Sequence, residues 1–408
     1  MRVIHTSDWH LGHTLREQSR EDEHGAFLAW LLDRLDETAA DALLIAGDVF
    51  DQANPPSTAQ RRFYRFLAEA RRRQPALDIV VIGGNHDSAA RLDAPRPLLE
   101  VAGVRMVGGL PRLKDRRLDL DRLVVPLHDK AGQVGAWVAA VPFLRPSDLP
   151  RVEASDPLIG GVARLYGEVL DHARGLRQPD QALLAMGHAY LAGAQVSDDS
   201  ERKVLGGNQH GLPTSIFPND IAYVALGHLH LPQALGTDRI RYCGSPIPLS
   251  LAEADYPHQV VQLDLEGSEL QAVTPLLIPR AVEIIRLPPA PIDTVLARLI
   301  ALPALPADLP GWRRPFLEVS VIMDGTADVK GKIEKALEGK AARLVSLRHV
   351  REQSDSSLAD ALPRADLQSL SPEAVFRRRF EALRKGEPTA ELLSAFHELL
   401  DEVSREGA

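Results

Sequence analysis

The chain has 408 residues, 45% of them hydrophobic and 25% charged, an ordinary globular composition with room for two or three domains at about 150 residues each. Its formal charge of -9, from 56 acidic and 47 basic residues, excludes a protein that coats nucleic acid by bulk electrostatics, although a local basic face stays open. Cys243 is the only cysteine, which excludes an internal disulfide and a thiolate metal cluster and predicts a reducing, cytoplasmic setting.

The first residues carry no basic-then-apolar leader, and no apolar run approaches the roughly 18 residues of a membrane span, so a soluble protein with no membrane attachment is expected. "RVIHTSDWHLG" (2–12) starts as a buried strand at Val3 and Ile4 and turns abruptly into Ser7, Asp8, Trp9 and His10. Phe27, Leu28, Leu31, Leu32 and Leu35 then mark one face of a helix. "LLIAGDVFD" (43–51) reads as a second strand, and residues 57–73 as a second helix. That helix crowds Arg61, Arg62, Arg65, Arg71, Arg72 and Arg73 around Phe63, Tyr64 and Phe66, a solvated basic face with its aromatics packed inward.

"VVIGGNHDS" (80–88), "LLAMGHAY" (183–190) and "YVALGHLH" (223–230) repeat the pattern of the first two strands, an apolar run that passes into potential metal ligands, here through Gly. Runs this rich in Val, Ile and Leu suit strands covered on both faces, and Gly47, Gly83, Gly84, Gly187 and Gly227 allow tight turns and close backbone approach at their ends. Strands alternating with helices predict an α/β layer architecture, in which ligands gather beyond the carboxyl ends of the strands. The polar endings are therefore expected to converge.

Further on, strand-like "VEII" (282–285), "LPPAP" (287–291), helix-like "IDTVLARLIAL", strand-like "FLEVSVI", helix-like "DVKGKIEKAL" and strand-like "RLVSLRHV" predict a compact α+β unit. After polar "REQSDSS", Phe376, Phe380 and Leu383, then Leu392, Phe396, Leu399 and Val403, mark two amphipathic helices. Ser371-Pro372 starts the first, and Gly386 and Pro388 separate the pair. The expected domains are 1–275, 276–350, and 351–408 as a linker with a helical hairpin.

Asp8, His10, Asp48, Asn85, His188, His228 and His230 offer only oxygen and nitrogen, which suits Mn, Fe or Zn better than an all-oxygen calcium site. Residues i and i+2 share one face of an extended chain, so Asp8 with His10, and His228 with His230, can point to one place. The inventory accommodates two cations, and a carboxylate such as Asp48 can bridge ions about 3.5 to 4 Å apart. His5, His13, His24, His128 and His210 stand outside the repeated endings and are read as packed or solvated residues.

"DWH", "GDVFD", "GNHD", "GH" and "GHLH", in this order, resemble the calcineurin-like metallophosphoesterase superfamily. Within it, "HTSDWHLG", "GDVFDQANPPS", "GNHDS", "FPNDIAYVALGHLH" and "RYCGSPIPLS" are similar to the SbcD family of bacterial nuclease subunits, over most of residues 1–265 and more loosely in the tail. The resemblance implies a four-layer core of two packed mixed sheets flanked by helices, a smaller α+β capping domain and a C-terminal helical hairpin. It implies one cation on Asp8, His10, Asp48 and His230, and another on Asp48, Asn85, His188 and His228. His86 is implied as the residue that stabilises charge on the reacting phosphorus or assists the leaving oxygen, with the Asp51 carboxylate orienting it.

The activity implied is Mn-dependent cleavage of DNA, as an exonuclease on duplex ends and an endonuclease on single strands and hairpins. The implied partner is SbcC, a coiled-coil ATPase, in a heterotetramer built on a homodimer of the nuclease subunit. Phe376, Phe380, Leu383, Leu392, Phe396 and Leu399 would then dock on that partner. Two rivals are weighed against this: a small-molecule or cyclic-nucleotide phosphoesterase sharing every metal ligand, and a non-catalytic scaffold, which the complete ligand set disfavours. A protein phosphatase fits less well, since "GD" is followed by "VFDQ" without Arg-Gly and the chain has "GNHD" in place of "GNHE".

Overall fold

The computed structural model describes residues 1–196, 211–322 and 328–350, together with 376, 380, 388, 389, 392, 393 and 396. It divides into two compact units, Met1–His349 and Val350–Ala408. Two six-stranded sheets dominate the first. In spatial order one contains Glu269–Leu277, Gln259–Glu266, Arg2–Thr6, Ala42–Ala46, Asp78–Ile82 and Val104–Val107. The last four of these are mutually parallel, and Gln259–Glu266 closes antiparallel on Arg2–Thr6. The other sheet runs Gln233–Leu235, Thr237–Tyr242, Tyr223–Gly227, Ala182–His188, Val134–Ala140 and Val124–His128, with parallel pairing through its middle.

The alternation of side chains across each strand explains the layers. In the first sheet Val3, Ala42, Leu44, Ala46, Val80 and Ile82 share a core with Val138, Leu184, Met186 and Leu226 of the second. Their neighbours Ile4, Leu43, Ile45, Ile79 and Val81 face the other way, onto Phe27, Leu28 and Leu31 of the helix Glu21–Thr38 and Phe63, Phe66 and Leu67 of the helix Ser57–Arg73. Val162, Leu165, Tyr166 and Val169 of the helix Pro157–Leu176 cover the second sheet. The result is helix, sheet, sheet, helix, with the central strands buried on both faces, as their unbroken apolar runs require.

On the helix Ser57–Arg73, Phe63 and Phe66 are buried and Tyr64 is half-buried. Several of its arginines are taken up by acids: Arg72 and Arg73 contact Glu69, and Arg73 also reaches Asp33 and Asp36.

The α+β unit is built on the sheet Ile284–Pro291, Phe316–Ile322, Arg343–Val350, with the helices Ile292–Ile300 and Val329–Ala336. Its own core is Val295, Leu299, Leu317, Val319, Val321 and Ile333. The first sheet of the larger part runs to Leu277, two residues past the boundary expected at 275. Proline-rich "LPPAP" continues the strand. It lies on a sheet edge, where prolines need no partner for the N–H they lack, and the register shifts between Leu287 and Ala290. Leu15 and Leu251 of the larger part pack with Val282 and Phe316, and the guanidinium carbons of Arg20 and Arg343 lie 5.3 and 4.4 Å from the Phe316 ring centre.

In the second unit Phe376, Phe380, Leu392 and Phe396 are helical, and the Phe376 and Phe396 rings stack at 4.2 Å. Leu392 is exposed; Leu383, Leu399 and Val403 lie outside the described residues.

Candidate metal centre

The strands that end in potential ligands finish at the same end of the two facing sheets. Beyond Thr6 and Ala46 the chains stay in step: Asp8 N–H donates to the Gly47 carbonyl at 3.0 Å, His10 N–H to Asp48 at 3.0 Å and Leu11 N–H to Val49 at 2.9 Å. Two glycines make the approach of these loops feasible. A Cβ on Gly84 would lie 2.1 Å from Asp48 Oδ1, and one on Gly227 would lie 2.0 Å from the Ala46 carbonyl oxygen. The ligand positions themselves carry backbone strain: Asp8, His10, Asp48 and His228 have φ of 54°, 45°, 48° and 103°. Left-handed geometry in four non-glycine residues of one cluster is the kind of strain that persists at functional sites, where the surrounding structure over-determines it.

All seven residues expected to bind metal come together. Potential ligand atoms of Asp8, His10 and His230 lie within 4.8 Å of one another, as do those of Asp8, Asp48 and His188, and of His10, Asp48 and His86. Asn85 Oδ1 is 2.9 Å from both His188 Nε2 and His228 Nδ1. Neighbouring ligands of an octahedral ion with bonds of about 2.1 Å stand about 3 Å apart, so this triplet fits a shared cation.

The rings are oriented from behind. His188 Nδ1–H donates to the Ala46 carbonyl at 2.9 Å, and His230 Nδ1 lies 3.1 Å from Glu253. His10 Nδ1 lies 3.3 Å from the Asp51 carboxylate, and its buried Nε2 has no hydrogen-bond partner among the described residues. A buried ring nitrogen in that state, 3.6 Å from Asp48 Oδ2, is the position a cation would satisfy. The donor set and its packing fit divalent metal ions.

Electrostatics couple these groups into one cluster. Burial raises the Asp8 carboxyl above its ordinary range, with Asp48 adding to the rise and His188 and His230 opposing it. Asp48 is driven the other way: burial raises it, but His188 and His10 outweigh burial and lower it. Burial works against a charged His188, yet Asp48 lifts it to about 9, so a cation binding there would displace its second proton. His228, pushed down to about 3 by burial and then by His188, is held neutral, the form a ligand needs.

His86 stands apart from these buried groups because it is exposed at the mouth of the site, its ring 4.8 Å from that of His10. Its Nδ1–H donates to the backbone carbonyl of Asp51 at 2.8 Å. The carboxylate expected to orient His86 is engaged elsewhere, by His10 and, at 2.9 Å, by His13. Asp51 therefore meets His86 through its main chain, with its side chain turned toward His10 and His13.

Four further residues support the site without having been singled out in the sequence. Asp87 is buried and accepts three backbone N–H groups, from Val49 at 3.1 Å and from Phe50 and Gly84 at 2.9 Å, tying "GDVFD" to "GGNHD". Ser7 Oγ donates to Asp8 Oδ2 at 2.6 Å, while Asp8 Oδ1 accepts the His228 N–H at 2.9 Å. His13, read as a bystander, braces Asp51 and bonds the Leu249 carbonyl at 2.8 Å. Glu253 has no local signal at all, and Asp87 could have been found only from its place inside "GNHD".

A family model described as calcineurin-like phosphoesterase matches residues 1–232, and one described as type 5 capsule protein repressor C-terminal domain matches residues 280–383. The chain is 43% identical to the D subunit of nuclease SbcCD from Rhodobacter capsulatus, over 93% of this chain and 94% of that protein. The chain belongs to the SbcD family of calcineurin-like phosphoesterases. Its identity to the SbcCD D subunit of Escherichia coli K12 is 34%, over 93% of this chain and 92% of that one. To the corresponding Bacillus subtilis protein it is 35%, over 66% and 67%.

Proposed function

We propose that this chain is a metal-dependent nuclease that hydrolyses phosphodiester bonds of DNA, loaded with manganese, and that it works with an SbcC-type coiled-coil ATPase in DNA repair and recombination. The observation that carries this reading is the convergence of strand-end carboxylates and imidazoles on Asp48, with exposed His86 at the rim, in a chain that matches nuclease subunits over nearly its whole length. The rival of a small-phosphoester enzyme shares the ligands but not that full-length match.

In this reading Asp8, His10, Asp48 and His230 hold one cation, and Asp48, Asn85, His188 and His228 hold the other. Divalent ions held there would supply charge neutralisation of the phosphate and a more acidic water as nucleophile. The remaining chemistry belongs to side chains. Donation of its Nδ1–H to the Asp51 carbonyl fixes the His86 ring, and in the imidazolium form the second proton, on Nε2, would be donated to a phosphate oxygen or passed to the leaving oxygen. Buried Asp87 keeps His86 and Asp48 on adjoining, tied loops.

Duplex ends would be degraded exonucleolytically, and single strands and hairpins cut internally, with the ATPase docking on the Phe376, Phe380, Leu392 and Phe396 face and on Leu383 and Leu399. A homodimer of this subunit within a heterotetramer belongs to the same proposal. No helix among the described residues is long and apolar enough to cross a membrane, and a cytoplasmic location suits the lone buried thiol of Cys243. The test is degradation of end-labelled blunt duplex and hairpin DNA in Mn2+, with and without the ATPase and ATP. Cleavage supports the proposal, whereas hydrolysis of nitrophenyl phosphate esters with intact DNA favours the small-phosphoester reading.

A further inference from the structure

Glu253 lies in the short 3-10 turn Leu251–Asp255 and is fully buried, far in sequence from every strand ending that builds the site. Both of its carboxylate oxygens are occupied. Oε1 is 3.1 Å from His230 Nδ1 and accepts the Ser250 hydroxyl at 3.1 Å; Oε2 accepts the Leu249 N–H at 2.8 Å and the Ser245 hydroxyl at 3.4 Å. Ser245 N–H in turn donates to the His230 carbonyl at 3.1 Å, so one small network grips that histidine by ring and backbone. Packing holds the turn in place, because its first residue, Leu251, is buried with Leu15, Val282 and Phe316 where the small α+β sheet meets the larger part.

A buried carboxylate on one ring nitrogen of a histidine selects the tautomer and sets the direction of the other nitrogen. We propose that Glu253 is a positioning residue for the metal centre, holding the His230 Nδ1–H so that Nε2 is presented to the cation shared with Asp8 and His10; this rests on the reading of His230 as a ligand. It makes one cation depend on a residue outside all the metal-ligand motifs. Among the described residues Asn85, His188 and His228, the side chains given to the other cation alone, make no contact with this network, so that cation should be much less affected.

The test is a calorimetric titration of Mn2+ into the chelator-stripped full chain, for wild type and Glu253→Gln. Wild type should take two ions; the variant should keep one and weaken the other by about 10- to 100-fold. Two ions bound by the variant as in wild type would overturn the role of Glu253 and leave the metal centre standing. Failure of the wild type to bind two would instead overturn the metal reading itself, and this inference with it. A variant that does not fold is replaced by histidine 15N NMR of the zinc-loaded wild type, assigned with His230→Gln. A proton on His230 Nδ1 is expected, and a proton on Nε2 would contradict the proposal.

Discussion

Asp48 Oδ1 accepts the backbone N–H of His86 at 2.8 Å. The residue at the centre of the metal cluster thus also fixes the main chain of the residue at its rim, and the two functions separate only by mutation.

His86→Ala should spare coordination and remove chemistry. His86 is exposed, so its loss should change stability by no more than about 0.5 kcal/mol. Metal content should stay at the wild-type level while turnover on DNA falls by about 10²- to 10⁴-fold, read by metal analysis and cleavage kinetics on one preparation. Wild-type rates in Mn2+ would sink the role given to His86.

Asp48→Asn should empty both positions, since one negative charge is shared between them. Neutralising it also removes the carboxylate charge 3.2 Å from His188. Metal analysis after gel filtration should find less than one ion per chain, and full occupancy would contradict the bridging role.

Asp87→Ala should act through stability first. It strands three buried N–H groups, those of Val49, Phe50 and Gly84, at a cost of about 3 kcal/mol or more in urea unfolding. Cleavage should decline at every Mn2+ concentration as the two loops lose their tie. A variant as stable as wild type would show that the loops hold without it.

His5 provides a stability signal distinct from the metal centre. Burial lowers its pKa to about 3 from an ordinary 6.5, and its Nδ1 is 3.0 Å from the Tyr223 hydroxyl. Above pH 6.5 neither folded nor unfolded chain protonates it; between 6.5 and about 3 the unfolded chain does and the folded chain does not. Stability therefore falls as pH falls through that window, by up to about 1.4 kcal/mol per pH unit from this one group. His5→Gln should remove that share of the slope in urea unfolding of metal-free protein between pH 6 and 4, and an unchanged slope would contradict the assignment.

The metal cluster was legible because each ligand follows a both-face-buried strand, a pattern that survives in one dimension: Val80 to Ile82 announce Asn85, and Tyr223 to Gly227 announce His228 and His230. The outer strands were not. Val124–His128 at a sheet edge, and Val134–Ala140 and Gln259–Glu266 one strand in from an edge, are interrupted by half-exposed Pro126, Trp137 and Gln262, so no uniform run marks them. Supporting residues were harder still, because their roles exist only across the fold. Glu253 is 23 residues from His230 in sequence, and the side chain of Asp51 turns toward His10 and His13 for reasons no local motif carries.

The most direct test of a two-cation centre bridged by Asp48 is anomalous diffraction from crystals of the full chain soaked in Mn2+. Two peaks about 3.5 to 4 Å apart are expected, both within bonding reach of Asp48, one beside Asp8, His10 and His230 and one beside Asn85, His188 and His228. A single peak, or a pair lying away from Asp48, would contradict the account.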